Sequence, residues 1–241
     1  MKFIDIHSHI LPGMDDGSRS MRQSLDMLRI AEEEGITTMF ATPHNMPGKG
    51  CPKPEVVYEN VEALKRAAKD AGISIEIMPG TEYFYREEVL EILEEEAVIT
   101  LGASDCVLVE FDPIAEKVYI RNALREVMAA GYHPVIAHVE RYAKLMADKA
   151  FVKELKQMGV LVQINAASVT GDNGRHAKWD VKRLLKAQLV DFVGTDAHSD
   201  GRRAPRMEKC ANILYKKYGA EYADALLFGN AEYYILENGK D

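Results

Sequence analysis

The chain has 241 residues, of which 47% are hydrophobic and 28% are charged, and its formal net charge is -8. This mixture is typical of a folded globular protein and argues against an intrinsically disordered chain. With 38 acidic against 30 basic residues, the balance also disfavours a nucleic-acid-binding protein, which concentrates Lys and Arg on one face. The length fits one large domain or two small ones.

Two features of the sequence predict a cytoplasmic protein that does not insert into a membrane. No apolar run approaches the roughly 18 residues of a membrane span, and Asp5 interrupts the N-terminus where a signal peptide would have its apolar region. The three cysteines, Cys51, Cys106 and Cys210, form no Cys-x-x-Cys pair. An odd number of this kind is typical of reduced thiols and not of a disulfide framework.

Short β-rich runs alternate with helical patterns along the chain. The runs predicted to be strands are Phe3–Ile6, Thr37–Ala41, Ser74–Met78, Cys106–Glu110, Pro134–Ala137, Val160–Ile164 and Asp191–Val193. Most of them are apolar throughout, as expected where both faces of a strand are covered. Stripes of apolar residues at helical spacing, each of which predicts an amphipathic helix, begin at Met21, Val57, Ile120, Phe151, Val181 and Met207. The first stripe follows a capping box, Ser20 to Gln23, and stops at Gly35, and the acidic run Glu94–Glu96 is predicted to end a solvated helix.

Seven strands that alternate with helices predict an α/β protein with a parallel sheet. A closed or nearly closed barrel fits the length better than two doubly wound halves, although periodicity alone does not decide between them. No linker or low-complexity tract divides the chain. We therefore expect residues 1–241 to form a single domain.

Histidines and carboxylates are concentrated just past the predicted strands. They are His7, His9, Asp15, Asp16, His44, Glu82, Glu110, His138, Asp196 and His198. In a parallel barrel the C-terminal ends of the strands meet on one face, so we expect these residues to converge there. Two of the seven histidines, His133 and His176, lie elsewhere and are interpreted as ordinary polar residues. Mixed imidazole and carboxylate ligands suit zinc, manganese or iron, and carboxylates can bridge two ions.

The motifs His-x-His, Asp-Asp-Gly, Pro-His, Gly-Thr-Glu and Asp-x-His resemble those of the polymerase and histidinol phosphatase (PHP) superfamily of metal-dependent phosphoesterases. The resemblance extends from His7 past His198. Within this superfamily, three segments, 5–13, 14–17 and 137–142, together resemble the bacterial tyrosine-protein phosphatases of capsule and exopolysaccharide synthesis. Met14 departs from the smaller aliphatic residue expected at its position.

The resemblance implies a distorted (β/α)7 TIM-like barrel with three divalent ions at the C-terminal ends of the strands. Carried over by position, the implied ligand sets are His7, His9, Glu82 and Asp196 for the first ion, Glu82, Glu110 and His138 for the second, and Asp16, His44 and His198 for the third. The carboxylates favour manganese over zinc, with iron as a further candidate. We interpret Asp15 as a turn residue or as a hydrogen-bond acceptor behind the ligands.

The implied reaction is hydrolysis of phosphotyrosine by attack of a metal-bridging water or hydroxide on phosphorus. Arginine suits the phosphate, because its planar fork matches two phosphate oxygens. Arg141 and Arg202 are the predicted catalytic arginines, and Arg141, Arg202 and Arg203 are the predicted substrate-binding residues. The implied substrate is a membrane-associated bacterial tyrosine kinase that controls polysaccharide export. The loop Asn45–Pro54, rich in Gly and Pro, is a candidate for the rim of an open mouth.

Several other functions compete with this hypothesis. A cysteine-dependent tyrosine phosphatase is excluded, because the residues six positions after the cysteines are Val57, Asp112 and Lys216 where that class needs Arg. A histidinol-phosphate phosphatase on the same scaffold would use the same metals and is the nearest alternative. A DNA exonuclease lacks support, since no basic, aromatic-rich strand is present. An amidohydrolase typically has lysine where Glu110 stands, and a non-catalytic metal-binding domain is the remaining class.

Overall fold

The computed structural model describes residues 2–46, 48–94 and 98–237. In these ranges the strands are Phe3–Ser8 (β1), Ile36–Ala41 (β2), His44–Asn45 (β3), Glu76–Pro79 (β4), Glu82–Phe84 (β5), Cys106–Glu110 (β6), His133–Ile136 (β7), Leu161–Asn165 (β8) and Phe192–Gly194 (β9). The α-helices are Met21–Glu33 (α1), Pro54–Asp70 (α2), Glu87–Glu94 (α3), Lys117–Ala129 (α4), Ala143–Met146 (α5), Lys149–Gln157 (α6), Ala166–Thr170 (α7), Arg175–Lys186 (α8), Glu208–Tyr218 (α9) and Ala220–Asp224 (α10). A short 3₁₀ turn spans Val139–Arg141, and wider π-type turns span Ala225–Gly229 and Glu232–Glu237. Residues 95 and 96 of the predicted acidic run lie outside the described residues, as does Pro47 of the predicted loop.

Each pair of neighbouring strands in the described part of the chain is parallel, which confirms the predicted α/β class. The strand order is β1-β2-β4 in one sheet and β3-β5-β6-β7-β8-β9 in the other. A parallel bridge between Ser8 and Ala197 joins β1 to the end of β9, where the amide of His9 donates to the carbonyl of Ala197 at 2.8 Å. The strands therefore follow one another around a curled parallel sheet, in agreement with the predicted TIM-like barrel.

Two of the predicted strands are each continued by a second, very short strand. Thr42 and Pro43 separate β2 from β3, and proline has no N–H to donate to a neighbouring strand. Gly80 and Thr81 separate β4 from β5, and a Cβ atom at Gly80 would lie only 2.9 Å from Thr42 Cγ2. The two interruptions thus pack side by side. After them the chain resumes as a parallel pair in which His44 lies opposite Glu82.

Along β6 and β8 the inner face of the sheet changes from apolar to polar. On β6, Cys106 and Leu108 belong to the inner apolar cluster, and Glu110 follows at the same two-residue spacing. On β8, Leu161 belongs to that cluster and Gln163 follows it, also fully buried. The N-terminal ends of the strands are therefore closed by packed side chains, and the polar groups collect at the C-terminal ends.

Amphipathic helices cover the outer face of the sheet. Leu28, Leu64 and Leu124, on three different helices, are completely buried against it. Helix α1 begins as predicted, since the Ser20 hydroxyl accepts from the amide of Gln23 at 3.3 Å. The Gln23 side chain accepts from the amide of Arg19 instead of completing the box at Ser20. Among the helices described, none combines the length and the hydrophobicity of a membrane-spanning segment.

Candidate metal centre and active site

The structure brings the nine predicted ligands together at the C-terminal ends of the strands. They are His7, His9, Asp16, His44, Glu82, Glu110, His138, Asp196 and His198. Eight of them are buried, and the Asp16 side chain is the exception with 46% exposure. Residues that are up to about 190 positions apart in the sequence thus gather in one cluster, because they lie at the C-terminal ends of strands of the same curled sheet.

The first predicted ligand set surrounds one carboxylate of β5. His7 Nε2 lies 3.3 Å from Glu82 Oε1, and His9 Nε2 lies 3.3 Å from Glu82 Oε2. Asp196 Oδ1 lies 3.7 Å from His7 Nε2 and 3.4 Å from His9 Nε2. The two imidazoles of the His-x-His motif therefore point at the same space, with a carboxylate on either side.

The second and third predicted sets lie on either side of Glu82. His138 Nε2 lies 2.8 Å from Glu82 Oε1 and 3.4 Å from Glu110 Oε1. Asp16 Oδ1 lies 3.3 Å from His44 Nε2 and 3.4 Å from His198 Nε2. His44 Nδ1 approaches Glu82 Oε2 to 2.9 Å, so the sets are contiguous. Glu82 occupies the centre of the whole cluster, which suits a bridging carboxylate.

The donor atoms of this cluster fit divalent cations. His44 Nε2 and Glu110 Oε2 are buried and have no hydrogen-bond partner among the described residues, and His44 Nδ1 and Glu82 Oε2 lie 2.9 Å apart without the angles of a hydrogen bond. Buried polar atoms are normally paired, so metal-binding atoms left without a partner within this cluster fit a bound cation. Three overlapping groups have donor atoms within 4.8 Å of one another: His7, His9 and Glu82; His44, Glu82 and Glu110; and His9, His44 and His198.

Electrostatics favour the ligand forms of His138, His198 and Glu82, whereas, against the effect of burial, neighbouring carboxylates raise the pKa values of His7 and His9. Burial, with the neighbouring Arg141 cation, lowers the pKa of His138 to about 4, and burial beside His9 lowers the pKa of His198 to about 3. Both imidazoles are therefore neutral near pH 7, the form that binds metal. Burial alone would raise the pKa of Glu82, but the surrounding histidines hold it well below its usual range. Burial next to Glu82 raises the pKa of Glu110 to about 7.

Two of the ligand positions have left-handed backbone. His138 has a φ of 31° and Asp196 a φ of 52°. Such conformations cost a non-glycine residue about 1–3 kcal/mol and are found mainly at functional sites. Both residues follow the end of a strand, and the turn keeps each side chain in the cluster. The amide of His138 is held there by Gln163 Oε1 at 2.6 Å.

The Asp-Asp-Gly loop holds the second histidine of the His-x-His motif. Asp15 Oδ2 accepts from His9 Nδ1 at 2.8 Å and from the amide of His44 at 3.0 Å, which leaves His9 Nε2 free to face Glu82. This is the acceptor role predicted for Asp15. Gly17 is required for space, because a Cβ atom there would lie 2.3 Å from the carbonyl oxygen of His9.

Two residues of β8 that no sequence motif singles out connect ligands on other strands. Gln163 Oε1 accepts from the amide of His138 and lies 3.3 Å from His7 Nδ1, while its Nε2 donates to Asn165 Oδ1 at 3.0 Å. Asn165 Nδ2 in turn donates to Asp196 Oδ2 at 2.8 Å. The only signal in the sequence is that polar Gln163 and Asn165 fall at the inward positions of an apolar strand.

Two of the three predicted arginines contact the cluster. Arg141 Nη2 donates to Asp196 Oδ2 at 2.5 Å, and its Nη1 lies 3.6 Å from Glu110 Oε1. Arg203 Nη2 donates to Asp196 Oδ1 at 2.8 Å and to the Asp196 carbonyl at 3.1 Å. Arg202 is exposed and lines the cavity beside the cluster instead. Within the described residues, Arg203 is thus the nearer of the two neighbouring arginines.

The predicted mouth loop lies against the cluster. Lys49 Nζ is 3.3 Å from Asp16 Oδ2, and the amide of Met46 donates to the Gly50 carbonyl at 2.5 Å to close a tight turn. A Cβ atom at Gly50 would lie 2.6 Å from the carbonyl oxygen of Met14, which shows how closely the loop packs on the Asp-Asp-Gly segment. The loop therefore forms one side of the opening above the ligands.

Comparison with known proteins identifies the family. The family model described as "Capsular polysaccharide synthesis, CpsB/CapC" matches residues 3–236. The chain belongs to the CpsB/CapC family. This CpsB/CapC chain is 33% identical over 239 residues to the tyrosine-protein phosphatase CpsB of Streptococcus pneumoniae, covering 97% of this chain and 98% of that protein.

Solved structures agree with this assignment. The CpsB/CapC chain is similar, with a TM-score of 0.91 and 32% identity, to a structure from work on YwqE of Bacillus subtilis and CpsB of Streptococcus pneumoniae, described as unique metal-dependent tyrosine phosphatases. That match covers 98% of this chain and 94% of the other. The histidinol phosphate phosphatase of Lactococcus lactis shares the fold, with a TM-score of 0.61 at 15% identity over 90% of this chain and 94% of the other.

Proposed function

We propose that this CpsB/CapC chain is a metal-dependent protein-tyrosine phosphatase that acts without a cysteine nucleophile. The observation that carries the proposal is the cluster of buried imidazole and carboxylate donors around Glu82, several of them without a hydrogen-bond partner among the residues described. The similarity to curated tyrosine-protein phosphatases over nearly the full chain supports the substrate class. Two of the cysteines are buried, and burial raises the pKa of Cys106 to about 12, which leaves its thiol protonated and a poor nucleophile.

We assign three divalent ions to the cluster, with Mn²⁺ as the expected metal. The ligand sets are those of the sequence prediction: His7, His9, Glu82 and Asp196; Glu82, Glu110 and His138; and Asp16, His44 and His198. Four carboxylates among nine ligands favour a hard cation over zinc. Ions bound there supply Lewis-acid charge that activates water and stabilises the phosphoryl group under attack.

The arginines hold and orient the phosphate in this proposal. Arg141 projects from the 3₁₀ turn after β7, and Arg203 from the loop after β9, and both reach Asp196. A guanidinium can offer two N–H groups to two phosphoryl oxygens, so this pair is suited to clamp a phosphate above the cluster. Arg202, exposed at the edge, is suited to contact the substrate polypeptide. Tyrosine, with a pKa of about 10, is a leaving group that needs little help from a general acid.

We further propose that the substrate is a tyrosine kinase of capsule or exopolysaccharide synthesis, associated with the membrane and phosphorylated on tyrosine. The CpsB/CapC family description and the CpsB relatives support the pathway. The free thiols of Cys51, Cys106 and Cys210 support a reducing, cytoplasmic location for the encounter.

Metal analysis paired with phosphatase kinetics tests the proposal. The purified protein, loaded with Mn²⁺, is expected to bind three ions and to hydrolyse a phosphotyrosine peptide, and a chelator is expected to abolish turnover. A variant with all three cysteines replaced by serine is expected to retain activity. Loss of activity in that variant while it remains folded, or turnover that is unaffected by the chelator, would contradict the proposed chemistry.

The alternative function is hydrolysis of histidinol phosphate or another small phosphomonoester. This alternative is considered because the chain shares its fold with the histidinol phosphate phosphatase of Lactococcus lactis. A shared fold at this level of identity does not show a shared substrate. Side-by-side kinetics with phosphotyrosine peptide and histidinol phosphate decide between the two. We expect kcat/KM to be higher for the peptide, and a clear preference for histidinol phosphate would favour the alternative.

A change at Arg141 tests the phosphate clamp. Because it removes charged donors from the phosphate site, Arg141→Ala is expected to lower kcat/KM for phosphotyrosine peptide by about a hundredfold. Arg22→Ala, at a side chain that is 94% exposed on α1, is the matched control and should have no effect. If Arg141→Ala keeps full catalytic efficiency, the proposed role of Arg141 in holding the phosphate is wrong.

A further inference from the structure

A groove extends from the metal cluster between the chain segments that follow β8 and β9. Its volume is about 850 Å³, within the range of substrate-binding clefts. Arg141, Asp196 and Arg203 form its inner wall and belong to the cluster as well. We call this cavity the β8–β9 groove. Because it is continuous with the phosphate clamp, a polypeptide whose phosphotyrosine enters the cluster has room to run along it.

The outer wall of the β8–β9 groove carries three cationic side chains beside two anionic ones, Glu34 and Asp172. Arg202, Arg206 and Lys209 line it beyond Arg203, although the whole chain carries a net charge of -8. Arg206 Nη1 lies 3.2 Å from Glu34, and Lys209 Nζ lies 3.7 Å from Asp172. Those two cationic side chains are 65% and 67% exposed, so these ion pairs are weak and both cations stay open to a further anion.

The opposite side of the opening has a different character. There a smaller cavity of about 330 Å³ borders the loop 45–54, and apolar side chains such as Pro52, Phe84 and Ile92 line much of it, together with the charged Lys53, Arg86 and Glu88. A substrate segment that crosses the opening therefore meets more cations on the β8–β9 side, where five arginine and lysine side chains line the groove, than at the smaller cavity, where the described lining includes two. This asymmetry gives the site a chemical preference for residues that flank the phosphotyrosine, independent of the phosphate itself.

We propose that the β8–β9 groove is a specificity subsite for acidic side chains next to the phosphotyrosine of the substrate polypeptide. The inference rests on the proposed phosphatase function and extends it to the substrate sequence. Carboxylates of Asp or Glu would lie along Arg202, Arg206 and Lys209 while the phosphate is held by Arg141 and Arg203. The subsite contributes mainly to substrate binding, so its effect belongs in KM more than in kcat.

Two phosphotyrosine peptides that differ only in their flanks test the subsite. One carries Glu at the two positions on each side of the phosphotyrosine, and the other carries Gln at the same positions, so that size is conserved. The Mn²⁺-loaded protein is expected to prefer the Glu peptide by about three- to tenfold in kcat/KM, mostly through KM, and the preference should shrink as salt is added.

A matched pair of double variants tests whether the β8–β9 groove causes the preference for the Glu peptide. Arg206→Gln with Lys209→Glu changes the groove by three charge units, and Lys182→Gln with Lys186→Glu makes the same change at a separate cavity beside α8. The Glu-to-Gln ratio is expected to fall to about one in the groove variant and to persist in the control. Because each ratio is measured within one protein, a partial loss of folded material does not affect it.

Three outcomes would overturn the inference. Equal kcat/KM for the two peptides in the unaltered protein removes the preference, and a ratio retained in the groove variant places it elsewhere. No turnover of either peptide by the metal-loaded protein would refute the proposed function together with the subsite. Turnover of both peptides without a preference would refute the subsite alone, so the two failures are distinguishable.

Discussion

Gln163 provides no predicted ligand atom, yet its amide orients two of the ligands. Its Oε1 accepts from the amide of His138 and pairs with His7 Nδ1, which leaves His7 Nε2 as the nitrogen that faces Glu82. Through Asn165 the same network reaches Asp196. Groups behind metal ligands fix the tautomer and orientation of the imidazole, and their loss typically weakens metal binding 10- to 100-fold.

Gln163→Met therefore tests whether the amide of Gln163 orients the predicted metal ligands, because it removes no predicted ligand atom. The substitution keeps the volume and removes every hydrogen bond of the amide, so the affinity for Mn²⁺ is expected to fall about 10- to 100-fold. Titration calorimetry of the metal-free protein measures it. Gln157→Met, at an exposed position on α6, is the matched control. An unchanged Mn²⁺ affinity in Gln163→Met would show that the amide is not needed to orient the ligands.

Gly17 is the second residue whose role depends on geometry. Since a Cβ atom there would meet the His9 carbonyl oxygen at 2.3 Å and the Asp15 side chain at 2.9 Å, Gly17→Ala must displace the loop. We expect it to lower the free energy of unfolding by about 1–3 kcal/mol and to weaken metal binding. Gly201→Ala is the control, because a Cβ atom at that position would have no described atom within 4 Å. Equal denaturation midpoints for the two variants would contradict the requirement for glycine.

At the residue scale the sequence predicts the members of the cluster better than the residues that support them. His7, Glu82 and Asp196 stand out because His, Glu and Asp are chemically conspicuous at the ends of apolar strands. Gln163 does not stand out, since only the fold shows that its amide lies between two ligands. The choice between Arg202 and Arg203 also depends on a loop conformation that no periodicity encodes.

At the scale of elements, strand length limited the prediction. The seven predicted segments all overlap a strand, but β3 and β5 have only two and three residues and carry no detectable pattern. They are nevertheless essential to the site, because they place His44 opposite Glu82. Their existence follows from the interruptions at Pro43 and Gly80, after which the chain leaves the first sheet and pairs in the second.

One helix junction offers a test at this scale. The Glu34 carboxylate, just after α1, accepts from the amides of Met207 and Glu208 at 3.1 and 2.9 Å and so caps the start of α9. Glu34→Ala is expected to reduce the free energy of unfolding by about 1–2 kcal/mol, the usual cost of losing a helix cap. Glu33→Ala, exposed at the end of α1, is the control. Chemical denaturation in which both variants unfold alike would contradict the capping role.

At the scale of the whole molecule, the predicted ligands tie the sheet together. The cluster draws on the ends of β1 and β6 and on the segments that follow β1, β2, β4, β7 and β9, and it gathers the carboxylates Asp16, Glu82, Glu110 and Asp196. Three divalent ions would add +6 to these four negative charges and turn the pocket electropositive. An acidic chain with a formal charge of -8 can thereby attract a phosphate.

The stability of the fold should consequently depend on metal. Ligands that bind only the folded state stabilise it by about 2.7 kcal/mol per site when their concentration is a hundred times Kd, which corresponds to about 5–11 °C for a chain of this size. Removal of metal by a chelator is therefore expected to lower the thermal midpoint by at least this amount, and Mn²⁺ should restore it. The double variant His44→Ala with His198→Ala, which removes two ligands of the third set, should retain part of the shift, because the other two sets remain. Identical midpoints with and without metal would show that the cluster does not bind the ions in the folded protein, since binding that is specific to the native state must raise the midpoint.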